Sequence, residues 1–257
     1  MLRLLRQLTT APKTPDHLDV VHEGVSYRVL LKRVSGAKRF TLRVRNATRD
    51  VVITLPKRGS LASAQDLAQR HAAWIAARLN RVPRAVPFVD GAAIPFKGED
   101  FTIAHIERLR GGVEICASEK IFRASCSQEH LSRRLHDFLK KEAQTALEAA
   151  VREHCGSLGF APRRVTVRDT TSRWGSCSAS GALSFSWRLI MAPPFVLDYL
   201  AAHEVAHLVH MNHSDEFWAV TKKLAPMTDR AEAWLHAHGS SLHRYGATDE
   251  ANLIKLK

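Results

Sequence analysis

The pentapeptide His-Glu-Val-Ala-His at residues 203–207 constrains the fold of this chain more than any other feature. Two histidines four residues apart stand one turn apart on the same face of an α-helix, so both imidazoles can reach one ion only if the segment is helical. The flanking residues favour a helix, because Pro193 and Pro194 suit a first turn and nearby leucines, alanines and valines supply an apolar side. The sequence therefore predicts a helix over 194–211.

The two histidines on one face of this predicted helix indicate a metal site. Imidazole nitrogens are common zinc ligands, and a catalytic zinc takes three protein ligands and keeps one open position. His203 and His207 would provide two of the three. Glu204 points about 100° away around the helix, where a carboxylate can act as a general base on metal-bound water. The alternative is a buried amphipathic helix whose histidines are packed or hydrogen-bonded, although burying these polar groups without a partner is costly.

Two histidines compete for the third ligand position. His213 follows His207 by six residues, and Asn212 can adopt left-handed backbone angles that end the helix and turn the chain back toward the ion. His210 shares a face with His203 but lies roughly 10 Å away along the helix axis. We therefore expect Zn2+ on His203, His207 and His213, with His210 behind the ligands or facing the substrate. Cobalt, nickel or manganese would also suit such a site.

A second candidate segment is the serine-rich loop that contains residues 172–178. Its backbone and hydroxyl donors, including Ser176, and the guanidinium of Arg173 could hold a substrate backbone or stabilise an oxyanion. The alternative is a structural turn anchored by a buried Trp174. Arg188 is a weaker candidate for the same role, because an arginine on a strand usually pairs with an acid or extends along the surface.

The positive charge of the chain is concentrated toward its N-terminal end. The whole sequence has a net charge of +13, and residues 1–58 contain 13 lysines and arginines against 4 acidic residues. Residues 194–245, around the predicted metal site, contain 4 against 6. A basic surface can attract nucleic acid or an acidic partner, and it can also serve solubility alone. Nucleic acid or an acidic partner is therefore an expectation for the N-terminal part.

Cysteine usage and hydropathy predict a cytoplasmic protein. The four cysteines form no Cys-x-x-Cys pair, which argues against a cysteine zinc site and favours free thiols in a reducing compartment. No apolar run approaches the roughly 20 residues that span a bilayer, and Arg3 and Arg6 interrupt the stretch that a secretory signal would need. Cys177 lies in the serine-rich loop with no catalytic base beside it in sequence, which favours an inert thiol.

Hydrophobic periodicity predicts a mixed succession of strands and helices. In residues 39–45, Phe40, Leu42 and Val44 alternate with polar residues, which is the pattern of a half-buried strand. Strands are predicted within 25–55, near 100–106 and 113–123, and at 164–168 and 182–190, the last two pairing around the serine-rich loop. Helices are predicted near 61–80, 128–157, 194–211, 214–225 and 228–238. In the first of these, Leu67, Trp74, Ile75 and Leu79 would line the apolar stripe. Gly159 would stop the second.

Several of these motifs resemble one known family. Residues 203–218, which run from His-Glu-Val-Ala-His to Asn-His-Ser-Asp-Glu-Phe-Trp, resemble the YgjP-like metallopeptidase domain, which is related to the SprT and WLM zincins. Segments 167–178 and 187–194 resemble other signatures of that family, and the order of the strand and turn segments upstream also fits. The resemblance covers about residues 25–245.

The resemblance implies a compact zincin catalytic region that acts on a peptide or protein. Its zinc ligands would be His203, His207 and His213, and Glu204 would be the catalytic carboxylate. With the periodicity, it predicts an α+β fold, in which an N-terminal mainly β subdomain precedes a zincin-like helical catalytic domain with a small antiparallel sheet. The predicted divisions are a flexible tail at 1–24, a basic β-rich subdomain with one helix at 25–125, the catalytic domain at 126–245 and a C-terminal tail at 246–257.

The predicted function is zinc-dependent hydrolysis of peptides, and two alternatives stay open. The basic N-terminal half motivates a metal-dependent hydrolase of nucleotides or phosphoesters. Against it, no glycine-rich phosphate loop is visible, and three imidazoles with one carboxylate suit one metal better than two. The arginines on the strand at 39–45 motivate a nucleic-acid-binding module with a structural metal, because arginine side chains contact phosphates.

Overall fold

The computed structural model of the chain describes residues 15–45, 48–82, 84–108, 111–247 and 253–255. The strands are β1 (His17–His22), β2 (Val25–Val34), β3 (Thr41–Val44), β4 (Val51–Pro56), β5 (Ala93–Phe96), β6 (Glu99–Glu107), β7 (Val113–Cys116), β8 (Ile121–Cys126), β9 (Arg164–Arg168), β10 (Gly175–Cys177), β11 (Ala182–Ser186) and β12 (Leu253–Lys255). The helices are α1 (Leu61–Arg70), α2 (Ala72–Arg81), α3 (Leu131–Leu158), α4 (Pro194–Ala206), α5 (Asp215–Leu224) and α6 (Thr228–His238). Short 3-10 helices span Gln128–His130, Trp187–Met191 and Gly239–Arg244.

The described residues form two units, each with its own apolar core. The first unit contains residues 15–45, 49–82 and 253–255, and the second contains residue 48 and the described residues from 84 to 247. The predicted division between residues 125 and 126 stays a prediction.

The first unit is built on one sheet with the strand order β1-β2-β4-β3, and β12 also pairs with β2. β2 and β4 are parallel, and the other pairs are antiparallel. Two of these strands fall in segments predicted as tails: β1 lies within 1–24 and β12 lies within 246–257. Each of these segments therefore contributes a strand to the sheet.

Strand β3 confirms the predicted alternation along residues 39–45. Phe40, Leu42 and Val44 pack against the core of the first unit. The intervening arginines Arg39, Arg43 and Arg45 are exposed. Within the described residues β3 pairs with β4 alone, so it is an edge strand with one face toward the core.

The single helix predicted over 61–80 is two helices, α1 and α2, which meet at His71. The backbone of His71 leaves the helical region, with φ −101° and ψ 14°. On α2, Ile75 and Leu79 are buried as predicted, whereas Trp74 is 46% exposed. The assignment of Trp74 to the apolar stripe was therefore wrong. At 100° per residue, Trp74 points at least 100° away from the direction that Ile75 and Leu79 share.

The second unit combines a sheet of strand order β5-β6-β8-β7 with the long helix α3. Phe96, Phe101 and Phe122 pack against one another in its core, with ring centroids 5.2 to 5.5 Å apart. α3 begins at Leu131, after the 3-10 helix that occupies the start of the predicted helix. It ends at Gly159, whose φ of 72° is the left-handed conformation of a helix stop, as predicted.

The small sheet beside the serine-rich loop has the strand order β10-β11-β9. β9 and β11 pair as predicted, but they are parallel, whereas β10 and β11 are antiparallel. The sheet is therefore mixed, which corrects the predicted antiparallel sheet. The physical reason is that the serine-rich loop itself supplies β10. A tight turn with Gly181 at φ 75° joins β10 to β11, and such a short connection forces antiparallel pairing.

The helix that carries the histidine motif is held on several sides. α4 packs against α3, α5 and α6, and most of its residues are buried. It ends five residues before its predicted end at 211. The segment that precedes it, predicted as strand to residue 190, leaves the strand at Ser186 and continues as a 3-10 helix.

The architecture confirms the predicted α+β class, because an N-terminal sheet region is followed by helices and small sheets. α5 and α6 lie close to their predicted ranges of 214–225 and 228–238. Among the helices of the described part, none is long and apolar enough to cross a membrane.

Candidate metal centre

Three histidines meet at the end of α4. His203 lies in the last turn of the helix, His207 follows its last residue, and their ring centroids are 5.1 Å apart. Nε2 of His213 lies 3.2 Å from Nε2 of His203, and one nitrogen of each of the three rings lies within 4.8 Å of the others. Among the described residues, this is the one group of three or more His, Cys, Asp or Glu side chains that could hold a metal ion.

A tight turn after α4 redirects the chain so that His213 returns to the helix. The amides of Leu208 and Val209 bond to carbonyls three residues back, at 2.9 and 3.1 Å, which is the pattern of a tightened last turn. Asn212 is not in the left-handed region. The predicted role of Asn212 was therefore wrong, because the tightened turn reverses the chain without it.

Hydrogen bonds on Nδ1 orient two of the imidazoles. Nδ1 of His207 donates to the carbonyl of His210 at 3.0 Å. Nδ1 of His203 lies 3.3 Å from the hydroxyl of Tyr199, which donates to Glu232 at 2.9 Å. Because the hydroxyl has one proton, Nδ1 of His203 is the donor in its pair. Nε2 is therefore left as the acceptor in both rings, which is the tautomer that metal ligation requires.

Phe217 of α5 holds the three rings from one side. It is fully buried, and its ring stacks on His207 with centroids 4.5 Å apart. It also lies 4.9 Å from the ring of His203 and 4.7 Å from that of His213. Phe217 belongs to the quoted family motif, but no role was predicted for it, because no local pattern indicates which rings a helix residue will contact.

Burial keeps the imidazoles of His203 and His207 neutral. It lowers the pKa of His203 to about 4, with smaller contributions from the rings of His207 and His213. Burial also lowers the pKa of His207. A neutral imidazole has the free lone pair that a metal ligand needs, so these rings are in their ligating form at neutral pH.

Glu204 lies buried beside the imidazoles. The residue is 4% exposed, and within the described part of the chain its Oε2 has no hydrogen-bond partner. Burial raises the pKa of Glu204 to about 7, although the charge of Arg173 opposes the shift. A carboxyl group with a pKa near neutrality can both accept and return a proton.

Gly175 of β10 packs directly against Glu204. A Cβ atom at this position would lie 2.7 Å from Cγ of Glu204 and would overlap the carboxylate. Glycine is therefore the residue that leaves space for the carboxylate here. This contact was not predicted, because the close approach of a strand to a helix leaves no signal in either segment alone.

A cavity of about 300 Å³ opens over the imidazoles. Its walls are Arg173, Gly175, Ser176, Cys177, His203, Glu204, His207, Met211 and His213. The structure thus brings the predicted substrate candidates Arg173 and Ser176 to the three histidines. The side chain of His210 does not line this cavity, and His210 contributes its carbonyl instead. Met211, which was not predicted, is an exposed part of the wall.

The serine-rich loop combines both of its predicted interpretations. Trp174 anchors it by stacking on His243, with ring centroids 5.0 Å apart, while Arg173 and Ser176 face the cavity. Burial, followed by the charge of Glu204, raises the pKa of the Cys177 thiol. A raised pKa disfavours the thiolate that a nucleophile needs, which supports the prediction of an inert thiol.

Arg188 lies outside the cavity walls, contrary to its role as a substrate candidate. It is buried, and its Nε donates to Asp169 at 3.0 Å. One terminal nitrogen donates to the carbonyls of Leu242 and Tyr245 at 3.0 and 2.8 Å. The guanidinium is thus used in a structural network, which favours the alternative that this arginine pairs with an acid.

A family model for the YgjP-like metallopeptidase domain matches residues 38–238, most of the chain. This chain belongs to the YgjP-like metallopeptidase family. The match confirms the resemblance found in the sequence, and membership in this family supports a metallopeptidase activity.

Among solved structures, the chain is similar to the metallopeptidase zymogen abylysin of Pyrococcus abyssi. The alignment has 22% identity and a TM-score of 0.33, and it covers 38% of this chain and 97% of that chain. The comparison with curated proteins finds no match.

Proposed function

We propose that this chain is a zinc-dependent metallopeptidase in which His203, His207 and His213 hold the metal and Glu204 transfers protons. One juxtaposition carries the proposal: three imidazole nitrogens lie within 4.8 Å of one another, beside a buried carboxylate with an oxygen that no described residue bonds. A buried carboxylate such as that of Glu204 is costly without a partner, and a cation with its bound water molecule would complete the site.

The donor set fits zinc. Nitrogen ligands at about 2.0–2.1 Å in a tetrahedral arrangement lie about 3.3 Å apart, and Nε2 of His203 and Nε2 of His213 are 3.2 Å apart. Three histidines and no fourth protein ligand are typical of catalytic rather than structural zinc sites, because a position stays open. When bound, zinc supplies a Lewis acid that polarises the scissile carbonyl and makes the attacking water more acidic.

Glu204 is the proton carrier in this proposal. Its carboxylate accepts a proton from the attacking water and returns it to the nitrogen of the leaving amine as the carbon–nitrogen bond breaks. The water oxygen stays on the new carboxyl group of the product. Burial raises the pKa of Glu204, which favours holding the proton, whereas the charge of Arg173 favours the ionised form that accepts it.

Arg173 and Ser176 are the side chains placed to receive the negative charge that develops on the carbonyl oxygen. Both line the cavity over the imidazoles. Charged and hydroxyl donors aimed at such an oxygen stabilise the transition state more than the ground state. The described residues offer a single group of metal-binding side chains, which suits peptide hydrolysis and supplies no second ion for a two-metal phosphoesterase.

We also propose that the reaction takes place in the cytoplasm. All four cysteines, Cys116, Cys126, Cys155 and Cys177, are free. Free thiols are the usual state in a reducing compartment. Two of the four are buried, where a thiol behaves as a small apolar side chain.

The experiment that tests the proposal is the substitution Glu204→Gln, which keeps the shape of the side chain and removes its basicity. We expect wild-type zinc content and a fall in peptide hydrolysis by about 10²–10⁴-fold, the usual contribution of a general base. Purified protein is assayed on fluorogenic peptides and, side by side, on nucleotides and phosphodiesters. Full peptidase activity in zinc-loaded Glu204→Gln protein would exclude the proton-transfer role. Hydrolysis of nucleotides without hydrolysis of peptides would exclude the peptide substrate.

A further inference from the structure

A second concave surface lies in the first unit, between the edge strand β3 and helix α2. We call it the basic groove, and it is lined by Leu42, Arg43, Val44, Trp74, Ala77, Arg78 and Arg81. Its volume is about 460 Å³. Three of the seven wall residues are arginines, one is a tryptophan, and none of these described wall residues is acidic. The basic groove therefore combines positive charge with an exposed aromatic ring.

Helical spacing explains why one side of α2 forms this wall. Residues 74, 77, 78 and 81 recur at intervals of three and four, so they share one face of the helix. Ile75 and Leu79 occupy the face that is buried in the core, which leaves Trp74 46% exposed. A single exposed tryptophan is ordinary on a protein surface. An exposed indole on the same helix face as two arginines, opposite a third across a groove, is a specific arrangement.

The charge around the basic groove indicates an anionic ligand. Residues 15–82 contain 13 lysines and arginines against 5 acidic residues, a net charge of +8. A guanidinium group binds phosphate oxygens through parallel N–H bonds. The flat face of an indole stacks on an unpaired base of any sequence. Phosphates and unpaired bases occur together in single-stranded nucleic acid.

We propose that the basic groove binds single-stranded DNA or RNA, with a base stacked on Trp74 and backbone phosphates on Arg43 and Arg81. The helix rises roughly 10 Å between Trp74 and Arg81, which is the length of about three stacked nucleotides at ~3.4 Å each. The bases of a duplex are stacked on one another, so a duplex cannot offer a free face to the indole. The binding is a property of the first unit and does not depend on the proposed peptidase activity.

Fluorescence anisotropy of the full-length protein with labelled 15-nucleotide oligo(dT) and oligo(U) tests this proposal. We expect binding at about 50 mM salt that weakens as salt rises, with a log–log slope of about −1.4 for two phosphate contacts. Trp74→Ala should weaken binding by about tenfold or more, whereas Trp74→Phe keeps a stacking face and should stay within about threefold. Arg81→Gln should weaken binding and reduce the magnitude of the slope by about 0.7.

Arg70→Gln is the matched control, because it removes the same charge from α1, where Arg70 pairs with Asp66 outside the basic groove. Thermal unfolding and peptide hydrolysis are measured on every variant and should stay at wild-type values. Three results would overturn the proposal: no binding at about 50 mM salt, equal losses in Arg70→Gln and Arg81→Gln, or binding that Trp74→Ala does not change. Displacement of the oligonucleotide by a duplex or by poly-glutamate at equal concentration would also overturn it, in favour of a general polyanion surface.

Discussion

Helix α4 contributes to two histidine environments that differ in what completes them. In the first, Nε2 of the buried His154 on α3 lies 2.7 Å from a carboxylate oxygen of Asp198 on α4. In the second, Nε2 of His203 on α4 lies 3.2 Å from Nε2 of His213. Asp198 and His203 are about 140° apart around the helix at 100° per residue.

The difference shows which histidines need a metal. His154 has an acidic partner, so its hydrogen bonding is satisfied and its role is structural. In the histidine trio, the Nδ1 atoms of His203 and His207 already donate to protein oxygens, so their Nε2 atoms are acceptors. Nε2 of His213 can donate a hydrogen bond to only one of these acceptors, whereas a cation can bind one nitrogen of all three rings at once. We therefore expect His154 to be independent of the metal and the histidine trio to depend on it.

The largest effect is expected from removing a metal ligand. Single substitutions of His203, His207 or His213 by Ala should reduce the zinc content of purified protein from about one per chain to near zero, because two imidazoles bind zinc far more weakly than three. His210→Ala should keep its zinc, since only the main-chain carbonyl of His210 contacts the site. His154→Ala should keep it as well. Elemental analysis measures the zinc content of each purified variant. Zinc retained in His213→Ala or lost in His210→Ala would refute the proposed set of ligands.

The next largest effect is expected from Gly175→Ala. The new methyl group would displace the flexible carboxylate of Glu204, and a displacement of about 1 Å in a catalytic group can cost about 10²-fold in rate. Zinc content and thermal stability should change little. Gly156→Ala is the matched control, because a Cβ at Gly156 meets nothing within 4 Å. Equal peptidase activity in the two variants would show that Glu204 does not depend on this contact.

Asp198→Ala breaks the satisfied pair and should leave the metal site intact. Removing the acceptor leaves Nε2 of His154 buried without its partner, which should lower the free energy of unfolding by about 1–3 kcal/mol. Asp198→Asn keeps an acceptor and should cost less. Urea titrations measure the stability and elemental analysis the zinc content. A loss of zinc in Asp198→Ala would show that the two environments are coupled rather than separate.

Tyr199→Phe removes the partner of Nδ1 of His203 while keeping the ring. Groups that orient a metal-binding histidine contribute about 10-fold or more to metal affinity, so we expect about tenfold weaker zinc binding in competition with a chelator. Glu232→Gln keeps an acceptor for the Tyr199 hydroxyl and should have a smaller effect. Unchanged affinity in Tyr199→Phe would indicate that packing, by Phe217 above all, orients His203 alone.

The smallest effect is expected from Arg173→Gln on the pH dependence. Glu204 acts as a base in its ionised form, so activity falls as pH drops through its pKa. The charge of Arg173 lowers that pKa, so removing it should raise the pKa and move the acid limb of kcat/KM to higher pH, by less than about one unit. Arg173→Lys keeps the charge and should keep the limb. A shift to lower pH in Arg173→Gln would contradict the assignment of Glu204.

Elements of both units show how much of the structure a local sequence pattern can predict. The spacing of His203 and His207 predicts a helix because both residues belong to one turn, and the alternation in β3 predicts its buried face for the same kind of reason. The end of α4, the mixed order of the small sheet and the exposure of Trp74 were not predicted correctly. Each of these depends on the residues that pack beside the segment. Those residues are distant in sequence, so no local pattern predicts them.

The sequence by itself determined the helical frame of the histidine motif, the family and the concentration of positive charge toward the N-terminus. These are local or compositional properties, and a few neighbouring residues encode each of them. Only the tertiary structure decided that the imidazole of His213 lies beside that of His203 and that Gly175 packs against Glu204. Burial moves the pKa of Glu204 to about 7, and burial is set by residues that are distant in sequence. The helix that carries His203 and His207 can therefore be predicted from one segment, whereas the pKa of Glu204 depends on the assembled fold.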